Sequence, residues 1–277
     1  MDTTRHVLLC PKNDPESLQI LEVASVFHIP TLVSHQQHGA KLVHEPHLAD
    51  RIKTLNALAK TIVIVEIPGL PEEDALRARG YCVDIIDHHA YGDLDRTSPQ
   101  SSLEQVLSYF AISDNDLVSH GLDPLLVRGV GVIDRGFLWE LVREGYNEKE
   151  AARIRTHYAA LGKTLERENA ITPEQAMQIW NAREERDGVI ILRSSGVTRS
   201  GIRNAMSYIL AEASPSPEPP VIIIENDKIV VQGVDCGEEL LRTFGGYLFG
   251  SAKCWGKQDS PKNLPSVDAI LDIMRKP

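Results

Sequence analysis

The run Asp87-His88-His89 closes the apolar segment Cys82-Val83-Asp84-Ile85-Ile86. Two imidazoles and a carboxylate leaving a strand together are ligands for Mn²⁺, Zn²⁺ or Fe²⁺. Other metal-capable groups are placed to join them. Cys10, Asp14 and Glu16 follow a first apolar strand, and Glu66 ends a third, Thr61-Ile62-Val63-Ile64-Val65. Asp134 sits in Gly131-Val132-Ile133-Asp134-Arg135-Gly136, an apolar and glycine-broken setting. A buried carboxylate is costly unless paired or metal-bound, and several meeting in one place repel without a cation. Each also has a simpler use: Asp14 as cap of the next helix, Glu66 paired with Arg77 or Arg79, Asp134 with Arg128 or Arg135. The joint pattern favours a cation site.

These groups need a scaffold that gathers them. Strands are expected at residues 6–10, 31–34, 61–66 and 82–86, with helices at 14–27, 48–58 and 71–79 between them. Leu18, Ile20, Leu21, Ala24 and Val26 recur at helical spacing, and the third strand is apolar on both faces. The alternation predicts an α/β fold with an N-terminal, mostly parallel sheet and helices on both faces. In such a sheet chemistry lies outside the carboxyl ends of the strands, where Asp14, Glu66 and the histidine pair fall. A helix is expected at 101–110, and broken helix over 115–146 with interruptions at Gly121, Gly129, Gly131 and Gly136. Residues 147–168 are highly charged and read as a long exposed helix. Thr172-Pro173-Glu174-Gln175 carries the signature of a capping box.

A smaller C-terminal α/β domain follows. Its expected elements are a strand at 189–192, a helix at 200–213 and a stiff Pro-rich spacer at 214–220. Segments 221–225 and 228–234 flank the hairpin turn Asn226-Asp227. A helix at 236–242, a Gly-rich run at 245–256 and a helix at 266–275 complete the chain. The expected division is a metal-binding domain over 1–146, a helical connector over 147–187 and a substrate-binding domain over 188–277.

Hydrophobic content of 42% and charged content of 25% fit a globular chain with its own core. The formal charge of −10 repels polyanions, which argues against long duplex nucleic acid. A small anion remains possible, because a divalent cation reverses the local field. Cys10, Cys82, Cys236 and Cys254 show no C-x-x-C spacing, so neither a disulfide framework nor a zinc finger is indicated. Met1-Asp2-Thr3-Thr4-Arg5 opens no signal-peptide core, and no apolar run approaches a bilayer span. The expectation is a cytoplasmic protein without membrane partners. Gly129-Val130-Gly131 lacks a third glycine and a preceding strand, which excludes a dinucleotide-binding reading.

Taken together these motifs resemble the DHH phosphoesterase superfamily. It includes RecJ-type exonucleases, nano-RNases that also dephosphorylate phosphoadenosine phosphate, and manganese-dependent inorganic pyrophosphatases. Asp87-His88-His89 resembles the name-giving motif, and Ser101-Ser102-Leu103-Glu104 the Ser-Thr-Glu run after it. Ile133-Asp134-Arg135-Gly136-Phe137 resembles the later Asp-Thr-Gly-x-Phe motif. Phe244-Gly245-Gly246 with Gly250-Ser251-Ala252 resembles the Gly-rich signature of the companion DHHA1 domain.

The resemblance implies one or two divalent cations, Mn²⁺ first. Asp14, Glu66 and Cys10 would surround one, and Glu16, Glu66, His88 and Asp134 the other. It assigns His88, His89 and Asp87 to catalysis: His89 on the substrate phosphate, Asp87 orienting the neighbouring imidazole. Gly245 and Gly246 would bind substrate; the Arg that the family places one strand earlier is absent from Val230-Val231-Gln232-Gly233, and Lys253 or Arg203 would supply the positive charge instead. The implied activity is hydrolysis of a small phosphate ester or short oligonucleotide by metal-activated water, and a homodimer is compatible with it.

The chain also departs from the family pattern. Cys10 stands where the family has His, Glu16 and Glu66 where it has Asp, and the Gly-rich loop has no His. These changes leave open a catalytically degenerate relative, a metal- or nucleotide-binding protein with a ligand-binding or regulatory role, whose site holds no metal if it is a relic.

Overall fold

The computed structural model describes residues 3–91, 94–165, 171–194, 202–213, 218–250 and 254–275. Ser200, Arg199, Ser251, Ala252, Lys253 and spacer residues 214–217 lie outside them.

Apolar β-rich runs alternate with helical ones from the start. β1 (His6–Pro11), α1 (Pro15–Val26), β2 (Thr31–Ser34), α2 (Leu48–Leu55), β3 (Thr61–Val65), α3 (Leu70–Ala78) and β4 (Cys82–Ile86) follow in turn. Next come β5 (Ala90–Tyr91), β6 (Leu94–Asp95), α4 (Ser102–Tyr109), α5 (Asp114–Ser119), α6 (Pro124–Arg143) and α7 (Glu148–Lys163). Then come α8 (Pro173–Asn181), β7 (Glu184–Arg186), β8 (Val189–Arg193), α9 (Ile202–Ala213), β9 (Val221–Ile224) and β10 (Lys228–Gln232). The chain closes with α10 (Gly237–Phe244), β11 (Tyr247–Phe249), β12 (Cys254–Gln258) and α11 (Val267–Met274).

The chain divides into two compact units. Unit 1 comprises Met1–His88, Ser98–Asp134 and Glu148–Leu165; unit 2 comprises His89–Thr97, Arg135–Asn147 and Glu166–Pro277.

Unit 1 is built on a parallel sheet of order β2-β1-β3-β4. Alternate residues of each strand enter opposite cores, as strand geometry requires. Leu8, Val63 and Val65 pack with Ile20 and Val23 of α1, Leu103 and Val106 of α4, and Val127 and Val130 of α6. Val7, Leu9, Ile62 and Ile64 pack with Ile52 of α2 and Leu76 of α3 on the other face. The predicted sheet with helices on both faces is therefore present.

Unit 2 has a mixed sheet of order β6-β5-β11-β12-β10-β9-β8-β7, antiparallel apart from the β8–β9 pair. Ile191, Ile222, Val231 and Trp255 face Leu240 of α10 and Ile270 of α11. Leu192, Val221, Ile223 and Val230 face Ile179 of α8, Met206 and Leu210 of α9, and Trp139 of α6. Strands β5, β6, β7, β11 and β12 were not expected from the sequence. They have two to five residues each, too short or too polar to show alternation, and pairing with neighbours defines them.

Two expectations for the central helices are corrected. Gly129 and Gly131 do not interrupt α6. They are sites of close approach, since a Cβ would fall 2.5 Å from Ile154 at Gly129 and 2.6 Å from Ser101 Oγ at Gly131. The break falls at Gly136 and Phe137, where φ/ψ leave the helical region. Helix α7 is not an exposed rod, because Ala151 and Ile154 are buried and it packs on unit 1. Among the described residues no helix is long and apolar enough to cross a membrane.

Candidate metal centre

The register of unit 1 brings strand exits level. Val65 pairs with Ile86, and the Glu66 N–H donates to the Ile86 carbonyl, so Glu66 and Asp87-His88 emerge side by side. Glu66 takes a left-handed φ of 51°. That conformation is uncommon for a residue with a Cβ and costs energy that local structure must offset.

Glu16 arrives from the first turn of α1. Pro15 suits the start of that helix, having no N–H to lose. Glu16 is buried, and one carboxylate oxygen accepts the backbone N–H of Leu103, 2.8 Å away at the start of α4. The first N–H groups of α4 have no partner within the helix, so that end favours an anion. Asp134 lies one turn beyond Gly131 on α6. The close approach of Gly131 to Ser101 brings this part of α6 against the start of α4.

His88 joins the set. Its Nε2 lies 3.3 Å from Glu66 Oε1 and 3.0 Å from Asp134 Oδ2. Ligand atoms of Glu16, Glu66, His88 and Asp134 all fall within 4.8 Å of one another. Burial disfavours a charged imidazole, but hydrogen bonds and charge from Asp134 and Glu66 overrule it and push its pKa up to about 12. Burial raises the Glu16 pKa well above the carboxylate range, helped by Asp134 and Glu66 and opposed by His88 and Leu103. One imidazole nitrogen and three carboxylates fit a divalent ion such as Mn²⁺, whose charge would relieve the crowding of anions.

The other predicted groups are placed as follows. Asp14 is the N-cap of α1, its Oδ1 accepting the Ser17 N–H at 2.7 Å. Burial, then Glu66 and Asp134, push its pKa up to about 7 against those bonds. Cys10 is fully buried, with Sγ donating to the carbonyls of Pro11 and Ser17. Burial, then Glu66, Asp14 and Glu16, push its thiol pKa well up, away from the thiolate that binds metals. Asp87 accepts the His88 backbone N–H at 2.8 Å, and Gln105 donates to the Asp87 carbonyl. The alternative ion-pair partners are engaged elsewhere: Arg77 with Asp74, Arg128 with Asp114, Arg135 with Glu140 and Glu144.

His89 falls in unit 2, its ring 5.8 Å from that of Tyr91. Arg203 lies over the rings of Phe137 and Phe249, at 4.5 and 5.1 Å. Gly245 and Gly246 both have positive φ. The Gly245 carbonyl accepts the Trp255 indole N–H, and a Cβ on Gly246 would meet the Gly256 carbonyl at 2.2 Å. Here these glycines let the chain lie tightly against β12. Sequence reasoning missed the Leu103 N–H, for which the only signal was the Ser101…Glu104 capping pattern that fixes where α4 begins.

No family model matches the sequence, and no curated protein matches it. Among solved structures, the DHH domain of a member of a family of ribosomal proteins superposes with a TM-score of 0.52. It is 12% identical, over 98% of this chain and 86% of the other. The chain has a DHH-domain fold. Two further likenesses are weaker. An exonuclease RecJ bound to manganese gives a TM-score of 0.45 at 14% identity, over 99% of this chain and 91% of that one. RecJ in complex with Mn²⁺ from Thermus thermophilus gives 0.47 at 16% identity, over 99% of this chain and 52% of that one. Identities of this size speak of fold and not of reaction.

Proposed function

We propose that the chain is a divalent-metal-dependent phosphoesterase acting on a small phosphate ester or a short oligonucleotide. The observation that carries this reading is the meeting of Glu16, Glu66, His88 and Asp134 outside the strand ends of a DHH-type sheet. When bound, the cation would supply an activated water and neutralise charge at phosphorus. The remaining work falls to the chain. His88 presents Nε2 between two carboxylates, and Asp87 holds the His88 N–H and so the turn that aims the ring. His89, Arg203, Lys253, Gly245 and Gly246 are the proposed substrate contacts. The charge of −10 favours a small anion over a long polyanion.

The test uses metal-stripped protein reloaded with Mn²⁺. Phosphate release is followed from a generic phosphate ester, then from pApA and phosphoadenosine phosphate. Mn²⁺-dependent release is expected, and His88→Ala or Asp134→Ala should lower it by at least ~100-fold, the upper range for losing even an outer partner of a metal site. Full activity in both variants would refute the reading.

A second reading, a ligand-binding protein without catalysis, is favoured by Cys10, whose Sγ faces two backbone carbonyls, and by Asp14, whose Oδ1 caps α1. An inert protein that takes up no cation would support it.

A further inference from the structure

Among the described residues the two sheets end in four edge strands, β2 and β4 in unit 1 and β6 and β7 in unit 2. An edge presents backbone N–H and C=O groups that invite another strand, and charged side chains discourage that pairing. Asp84 lies on β4, Asp95 on β6, and Glu184, Glu185 and Arg186 on β7. Strand β2, Thr31-Leu32-Val33-Ser34, carries no charge.

The ladder fixes what β2 offers. The Leu8 N–H donates to the Pro30 carbonyl at 2.9 Å, and the Lys12 N–H to the Ser34 carbonyl at 3.0 Å. Backbone groups along a strand point to alternate sides. Pro30, Leu32 and Ser34 therefore face β1, while Thr31 and Val33 turn their N–H and C=O groups to the open side. Arg51 Nη2 reaches the Val33 carbonyl only at 3.5 Å, a long approach for a hydrogen bond. Beside the strand runs an open groove of about 560 Å³, lined by Leu32, Asp50, Arg51, Thr54 and Leu55. Leu32 is half-buried, and Leu55 is 43% exposed although large and apolar. One acid and one base line the groove, so the excess negative charge of the chain is not gathered where a second copy would approach.

We infer that β2 pairs antiparallel with β2 of a second copy of this chain, joining their four-stranded sheets into one. The strand is self-complementary. Thr31 and Val33 flank Leu32 evenly, so a twofold axis at Leu32 sets Thr31 of each copy opposite Val33 of the other. Both outward residues of both strands are then paired at once, as an isologous contact requires. Leu32 meets its own counterpart at a non-hydrogen-bonded position, with Cα atoms about 4.5 Å apart. The carboxyl ends of the two sheets point opposite ways, so each copy keeps its own candidate metal centre. The inference does not depend on the metal-dependent reading above.

The experiment measures the mass of the intact chain by sedimentation equilibrium over a range of concentrations. A dimer is expected, and a chain that stays monomeric overturns the inference by leaving this edge to a strand of another protein. Val33→Pro removes an outward N–H while sparing the ladder to β1, and should give a monomer. Leu55→Glu should weaken the dimer by at least ~10-fold, the loss expected at a buried anchor of an interface. If circular dichroism shows Val33→Pro unfolded, Leu55→Glu decides alone, and an unchanged dimer in the folded variant overturns the inference. The register is read by crosslinking. In a background of Cys82→Ser and Cys236→Ser, which removes the two cysteines that are not buried, Leu32→Cys should form a disulfide-linked dimer on mild oxidation, because its Cα separation suits the bond. The background alone should not crosslink. A dimer that Leu32→Cys fails to link uses another surface and refutes the assignment.

Discussion

His88 is the residue on which the centre turns. Its Nε2 lies between Glu66 and Asp134, and those carboxylates hold a proton on the ring up to about pH 12. A cation needs the lone pair that this proton occupies, so uptake must expel it, and affinity should rise with pH. Calorimetry of Mn²⁺ binding at pH 7 in two buffers of different ionisation enthalpy should show proton release. Equal heats in both would contradict this. The residue types were legible in advance, because three carboxylates and an imidazole are recognisable donors. Their environments were not. The left-handed turn at Glu66 and the Leu103 N–H beneath Glu16 arise from chain segments far apart in sequence.

At the scale of elements, two buried polar side chains make opposite predictions. Glu45 anchors the loop between β2 and α2, accepting from Ser34, Gln36 and Arg51. Burial raises its pKa, but these bonds lower it further, and the net shift is downward. A carboxyl lowered in the folded state stabilises above its unfolded pKa of ~4.3 and loses that contribution as pH falls. Glu45→Gln should therefore cost about 1.5 kcal/mol at pH 7, a gap that closes toward acid pH; urea titrations at both ends of the range measure it. Gln232 is the reverse case. It is fully buried on β10, and neither amide atom has a hydrogen-bond partner among the described residues. Such a group costs about 1–3 kcal/mol. Gln232→Met should raise stability by about 1 kcal/mol, and a comparable loss in urea denaturation would contradict the account. Helix positions were largely legible from caps and apolar spacing. Gly129 and Gly131 of α6 were misread, because close helix contact and a helix break leave the same mark in a sequence; the break expected at Gly136 is present.

Across the whole molecule, each unit carries its own apolar cores, and Glu16, Glu66, His88 and Asp134 all belong to unit 1. A cation that binds only the folded form stabilises it by about 2.7 kcal/mol at ~100 times its dissociation constant. Saturating Mn²⁺ should raise the unfolding temperature and slow amide exchange at the carboxyl ends of β3 and β4 and in the first turn of α1. Unchanged exchange in those segments would place the cation elsewhere.

The amino-acid sequence determined the alternation of strands and helices in unit 1, and hence the parallel sheet and the edge where Glu66 and His88 emerge. These features depend on periodicity and on short-range capping, which neighbouring residues fix. Tertiary structure alone decided that Glu16 and Asp134 meet them while Cys10 and Asp14 turn to the backbone, and that a run of short strands joins into the sheet of unit 2. Such outcomes depend on helix contacts and pairing between distant segments, and no local pattern encodes those distances.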